Sequence, residues 1–469
     1  MLTMTRKWVV MGFLFTGSMF SCGGSDPDPE PEPPAPPVPA ADSVAIVVNA
    51  ADVKQEMIGF GGALTWYSPW VANNNKVDEI ADLMFDDLGI DIIRFKNWYY
   101  PNNYPTDKST TDMPDDNAKS HWDATNKLYE LAKARNPNAR ILLSSWGPPK
   151  SLKSNNKLQE GTLKKDENGF MYDAFADYWV DVLDHVPFDP DYISIQNEPT
   201  YLNAGWTTCE WAITETSALP GYNTAFNKIY DKIKGRPHVP LMIGPESQDV
   251  PKFSSFANVL KDNANCSMYG FHPYNINAGT SQDATIASLK SVGSFTTKLN
   301  MMTEFSDNLT DWFNTGIFIH NALVHANTSG YIYWKLAWNT PSSGEDAAMI
   351  SMASSTATGA YKVTPYYYLL KHFSKHVDAG YHRIGASSSN TSLYTSAFIS
   401  ADNKQITVVT INTGSEAAKV YFDATGKTIS SVKADQSKAG SYYKALETPS
   451  PKKSISLPAK SITTVVLGI

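Results

Sequence analysis

Cysteine is scarce in this chain. Three occur in 469 residues, and no group of Cys and His has the spacing of a metal site. A glycine-rich phosphate loop is also missing, so neither a metal nor another cofactor is expected. Positive charge is in deficit, with 39 Lys and Arg against 47 Asp and Glu and a formal net charge of −8. That balance gives no electrostatic attraction to nucleic acid or to an anionic membrane surface. Charged residues make up only 18 % of the chain, whereas 12 Trp and 24 Tyr are present. Such aromatics fill cores, and they also serve as platforms for the C–H faces of sugars.

The first residues read as an address. Arg6 and Lys7 open it, Trp8 to Phe20 is apolar but too short to span a bilayer, and Ser21-Cys22-Gly23-Gly24 follows. A small residue before a cysteine is the pattern of bacterial lipoprotein signals, so cleavage before Cys22 and lipidation of its thiol are expected. Residues 22–42 alternate proline with acids and form an extended, solvated stalk. The expected location is the outer membrane, on the cell surface, with the membrane touched only through the lipid. Cys209 and Cys266 remain, either paired or as buried free thiols; spacing alone decides nothing.

Beyond the stalk, strand-like and helix-like segments alternate. Expected strands are 56–64, 90–95, 140–146, 192–198, 239–246, 267–274, 299–305 and 330–336. Helical periodicity fills the gaps, as in 172–186, where Phe175, Trp179, Val182 and Val186 recur every three or four residues. Other helices are expected at 76–85, 125–136, 223–234, 253–261, 285–292, 312–326 and 364–377. Eight such units are the number that closes a (β/α)8 barrel. After residue 380 the pattern changes to short strands at 392–400, 405–412, 419–423 and 462–467, a small antiparallel β domain. The segment 44–48 is strand-like and can join that sheet. The expected organisation is therefore 1–21 signal, 22–42 stalk, 43–56 N-terminal strand, 57–379 barrel and 380–469 side domain.

In such a barrel the C-terminal ends of the strands build the active site. Glu198 ends strand four in Gln196-Asn197-Glu198-Pro199, and Glu304 ends strand seven in Thr303-Glu304-Phe305. Two carboxylates facing each other are the minimal equipment for cutting a glycosidic bond: one protonates the leaving oxygen, the other attacks the anomeric carbon or activates water. The other strand ends offer Arg94, Trp146, Asn197, His272 with Tyr274, and Trp334. An arginine and a tyrosine beside a nucleophilic carboxylate keep it ionised, and the two indoles can floor a sugar site.

These segments resemble glycoside hydrolase family 30. The matching stretches are Gly59-Phe60-Gly61-Gly62, Ser194 to Pro199, His272-Pro273-Tyr274, Thr303-Glu304, Phe373-Ser374-Lys375, Gly380-Tyr381 and Leu457 to Ser461. The resemblance implies a (β/α)8 barrel with a β-sandwich side domain and retaining chemistry, with Glu198 as acid/base and Glu304 as nucleophile. It is nearest the xylanase branch, so a polysaccharide or oligosaccharide substrate, most simply xylan, and a monomeric enzyme are expected. Glucuronoxylan-specific members read their branch with an arginine after strand eight, and from Tyr333 to Val377 there is none. Trp334 to Asn339 also echoes the glucosidase branches, which keeps a β-glucan or β-glucoside as the alternative substrate. An inactive glycan-binding lipoprotein is the alternative of a different class.

Overall fold

The computed structural model describes residues 42–101, 118–306, 309–340, 347–353, 356–447 and 454–469. The signal, Cys22 and the stalk up to residue 41 lie outside these residues. Among the described residues, no helix is long and apolar enough to cross a membrane.

Eight strands close into a parallel barrel in chain order: Gly59–Leu64, Ile92–Lys96, Arg140–Ser144, Tyr192–Ser194, Leu241–Ser247, Cys266–Phe271, Leu299–Phe305 and Thr328–Tyr333. Side chains alternate across each strand with period two. Ile93, Phe95, Ile141, Leu143 and Ile193 face outward and pack with the surrounding helices. Ile92, Leu142, Tyr192, Ile243, Met268, Met301 and Ile332 meet inside in a separate apolar cluster. The next inward positions carry Arg94, Ser144, Ser194 and His272, all fully buried. The barrel is thus sealed by hydrocarbon toward its N-terminal end and lined by polar groups toward the other.

Most expected boundaries move by a few residues. Strand four moves most among the strands, because it ends at Ser194 and leaves Glu198 on the loop beyond. Two of the shifts have a local cause. The first barrel strand begins at Gly59, not residue 56, because Glu56 ends the N-terminal strand and Gly59 turns the chain at φ +122°. The helix expected at 125–136 starts at Ala118, where buried His121 stacks on Trp98 with ring centroids 4.1 Å apart.

The side domain is one hydrogen-bonded run of nine strands. Its order is Ser441–Ala445, Ser431–Lys438, Ser461–Gly468, Gln405–Asn412, Leu393–Ile399, His382–Ser388, Val44–Glu56, Ala418–Ala424 and Ile455–Leu457. Val420 and Leu457 near one end share a core with Val432 and Val465 near the other, so the sheet doubles over into a sandwich. The N-terminal strand takes part, pairing antiparallel with His382–Ser388 and parallel with Ala418–Ala424. That parallel pair departs from the all-antiparallel expectation. The opposite face of the sheet, with Val409, Ile411 and Ile462, joins the main core of the barrel.

Candidate active site

Three carboxylates arrive at the polar end of the barrel, and two need local irregularities to get there. Strand seven slips register between Met302 and Phe305. An extra residue of this kind re-aims the side chains beyond it, so both Thr303 and Glu304 reach the interior. Strand five slips between Pro245 and Ser247, with Glu246 in the left-handed region at φ +53°. Glu198 is left-handed too, at φ +50°, a conformation that costs a non-glycine residue on the order of 1 kcal/mol or more. Backbone bonds hold it there. The N–H of Glu198 donates to the carbonyl of Glu246 at 2.9 Å, and that of Asn197 to Ser145 at 2.6 Å.

Arg94 is the hub, with no solvent exposure. Its guanidinium donates to Glu304 Oε2 at 2.6 Å, to Asn197 Oδ1 at 2.7 Å and to Ser144 Oγ at 3.1 Å. It also lies 3.1 Å from Glu246 Oε1. Tyr274 donates to the other oxygen of Glu304 at 2.8 Å. Both carboxylate oxygens of Glu304 are therefore engaged by donors. Because Asn197 accepts through its oxygen, its amide N–H groups remain to donate elsewhere.

Glu198 faces a different partner. Its Oε1 is 3.0 Å from His272 Nδ1, and His272 Nε2 is 3.1 Å from Thr303 Oγ1. Burial raises the Glu198 carboxyl above its ordinary value, opposed by the His272 hydrogen bond and reinforced by the charge of Glu304. Burial works against a charged His272, but Glu304, Glu198 and Glu246 outweigh it and carry the imidazole to about 9. Glu246 is likewise penalised by burial, yet Arg94, His272 and Ser194 bring it down to about 2. Environment thus pushes two neighbouring carboxyls apart, Glu198 upward and Glu246 downward, the pattern that acid/base sites exploit.

Glu198, His272 and Glu304 each place one ligand-type atom within 4.8 Å of the others. These three are the donors a metal ion would find. However, one of them is a cationic imidazole and another is already bound to a guanidinium, so the set suits proton transfer better than coordination.

The sequence-derived candidates thus converge, though not all as sugar contacts. Arg94 and His272 are fully buried and act through the glutamates. Trp146 is 3 % exposed and stacks on the arginine, its ring centroid 4.8 Å from the guanidinium carbon. Trp334 lies beside Trp146 at 6.1 Å and retains exposed surface, which leaves it as the indole available to a ligand. Past Glu198, Tyr201 and Trp206 stack at 6.3 Å, both partly exposed. Glu246 had no expected role, although like Glu198 and Glu304 it follows an apolar run at the C-terminal side of a barrel strand. Cys209 and Cys266 are buried free thiols.

Residues 380–465 match the model of the glycosyl hydrolase family 30 beta sandwich domain. Glucuronoxylanase XynC of Bacillus subtilis (strain 168) is 25 % identical over 376 residues, covering 75 % of this chain and 79 % of the relative. The side domain is therefore that of glycoside hydrolase family 30, and the chain as a whole is similar to xylanases of that family. It is a glycosyl hydrolase, and the family is a retaining one. Among solved structures, a family 30 subfamily 8 xylanase of Clostridium acetobutylicum superposes with a TM-score of 0.66 at 21 % identity, over 91 % of this chain and all of that one. An endo-β-1,6-glucanase superposes with a TM-score of 0.66 at 17 % identity, over 91 % of this chain and 94 % of its own. At these identities the two structures speak for the fold.

Proposed function

We propose that this enzyme cleaves the β-linked backbone of xylan by double displacement, with Glu304 as nucleophile and Glu198 as acid/base. The observation that carries the mechanism is the short carboxyl separation, with oxygens of the two glutamates within 4.8 Å. Retaining glycosidases hold their carboxyl groups roughly 5–5.5 Å apart, whereas inverting ones need roughly 6.5–9.5 Å to admit a water. Glu304 attacks the anomeric carbon while protonated Glu198 delivers its proton to the departing oxygen. Once Glu304 is an ester its charge is gone. Burial still raises the Glu198 carboxyl, but the part of the rise that comes from the charge of Glu304 then disappears, so the same group becomes the base that activates water. The free amide N–H groups of Asn197 suit a 2-hydroxyl, and Trp334 offers a face for the ring.

The substrate reading rests on which cations face the pocket. Glucuronate is matched by a guanidinium, whose planar fork makes two parallel bonds to a carboxylate. Arg94 is fully committed. Arg135, Arg140 and Arg236 lie on or after helices or at the start of a strand, toward the other end of the barrel. After strand eight there are Lys335, whose ammonium lies 5.2 Å from the ring centroid of Trp338, and exposed Lys362. Cleavage of xylan is therefore expected without an absolute need for a uronic-acid branch. Product profiles on glucuronoxylan, arabinoxylan and linear xylo-oligosaccharides test this. Turnover confined to glucuronoxylan refutes the branch independence, and turnover confined to a β-glucan hands the assignment to the glucan reading that Trp334 to Asn339 and the β-1,6-glucanase fold support. No turnover on any of them favours a binding protein.

We further propose that the enzyme is a lipoprotein on the outer membrane facing outward, held through Cys22 on its acidic, proline-rich stalk. Cys22→Ser is expected to move the protein from the membrane fraction to the soluble one without loss of activity in vitro. Soluble recovery of the unaltered protein without detergent contradicts the anchor.

A further inference from the structure

A second cleft lies at the seam between the barrel and the side sheet. It measures about 280 Å³ and is bounded by the helices Gln282–Gly293 and Trp312–His325 and the strands His382–Ser388 and Leu393–Ile399. It sits at the barrel end opposite the glutamates. His325 is the last residue of its helix, and Gln55 beside the cleft donates to the carbonyl of Thr328, where strand eight begins.

Arg383 lines this cleft and is only 8 % exposed. Among the described residues its one side-chain hydrogen bond runs from Nε to Gln55 Oε1 at 2.9 Å. Among the described residues, no carboxylate lies within ion-pair distance of it. Asp52, whose charge reaches it, is held by Lys54 at 2.6 Å. A buried guanidinium without a counter-ion is costly, and an anion that pairs with it recovers that cost. Two further groups in the same lining are unfulfilled. Asn321 is 1 % exposed with Nδ2 lacking an acceptor, and Thr395 Oγ1 has no partner. His320 and His325 do not compete as cations. Burial takes His320 down to about 3 and lowers His325.

We propose that this cleft binds the carboxylate of an acidic sugar, a hexuronate unit, separately from the catalytic pocket. Arg383 supplies the fork for the carboxylate, and Asn321 with Ser387 and Ser388 supplies amide and hydroxyl groups for a polyol. Val324, Leu393 and Tyr394 give the apolar wall that a sugar ring covers. The volume of about 280 Å³ falls just below the ~300–1,000 Å³ of small-molecule sites, room for one ring. No bond is broken here. The site goes beyond the catalytic reading and supplies a hold on uronate-bearing polymer that the pocket itself lacks.

The test is binding, not turnover, so its failure leaves the hydrolase assignment standing. Sodium glucuronate, acetate and glucose are titrated calorimetrically into the full-length Glu304→Gln protein. Glucuronate is expected to bind at least about tenfold tighter than either control, ~1.4 kcal/mol. Arg383→Met and, independently, Val324→Trp, which fills the cleft and keeps the Arg383–Gln55 bond, are each expected to weaken glucuronate about tenfold or more. Thermal unfolding reports whether each variant is folded. Absence of glucuronate binding, equal binding of acetate, or binding unchanged in the folded variants overturns the proposal.

Discussion

Replacing Glu304 with glutamine is expected to abolish turnover, by of the order of 10⁴-fold or more, the scale on which loss of a nucleophile is felt. An amide cannot form the glycosyl ester, although it still accepts a hydrogen bond from Tyr274 and fills the same space. Glu198→Ala is expected to behave differently. Its loss is severe for a natural leaving group, which must be protonated, and slight for nitrophenolate, which leaves unaided. Azide is small enough to enter where the carboxylate stood, and it raises turnover of the Ala variant by giving a glycosyl azide. NMR of that product is informative. A β-azide means azide attacked an intermediate on Glu304, whereas an α-azide means direct displacement and contradicts the double-displacement assignment.

The second large effect is expected at Glu246, which is fully buried behind Arg94 and His272. Glu246→Gln keeps the shape but removes the charge facing Arg94 and His272. Removing one partner of a buried ion pair costs roughly 3–5 kcal/mol, and retention of Glu304 beside Arg94 puts this case toward the lower figure. The pH dependence separates positioning from mere packing. In the wild type His272 is raised to about 9, above its unfolded value near 6.5. Its contribution to stability is complete below about 6.5 and lost as pH rises through 9. Glu246 is depressed to about 2, so its contribution is present above about 4.5 and lost as pH falls through 2. The Gln variant is expected to lack the acid-side loss and to shift the alkaline loss to lower pH. Its kcat/KM is expected to fall about 10²-fold, the upper range for outer-sphere partners of a working group. Thermal unfolding and kcat/KM against pH measure both. A variant with reduced activity but the wild-type pH profile means that Glu246 only fills space.

How much of the fold and site can be read from the chain depends on period and position. The eight barrel strands are short apolar runs with helical segments between them, and burial on both faces makes such runs stand out. Glu198 and Glu304 are legible because a charge closes each run. Glu246 closes its run in the same way, but Gly244-Pro245-Glu246 carries no amide or tyrosine beside it to suggest chemistry. What singles it out is the carbonyl it offers to Glu198 and the cations on either side, both long-range facts. The roles of Arg94 and His272 are half legible. Residue type names them as site groups, but only packing shows that they are sealed from substrate. In the side domain, 405–412 and 462–467 are β-branched runs buried on both faces, whereas Ser431–Lys438 and Ser441–Ala445 carry Ser and Lys at open positions and read as loop. The cleft at Arg383 has no local signal, since its lining comes from four separate elements.

The strand Val44–Glu56 carries a consequence for how the molecule is made. It lies inside the side sheet, with neighbours on both edges that come from the far end of the chain. During synthesis it emerges before every barrel strand, one edge stays open until residue 388 has been made, and the other until residue 424. The barrel can close in that interval, but the sandwich cannot. Shortened versions that begin at Gly59 would separate His382–Ser388 from Ala418–Ala424 and expose two bare strand edges, the geometry that recruits other chains. The boundary of the smallest independently folding unit is therefore set by the side sheet, at the start of the N-terminal strand, and not by where the barrel begins.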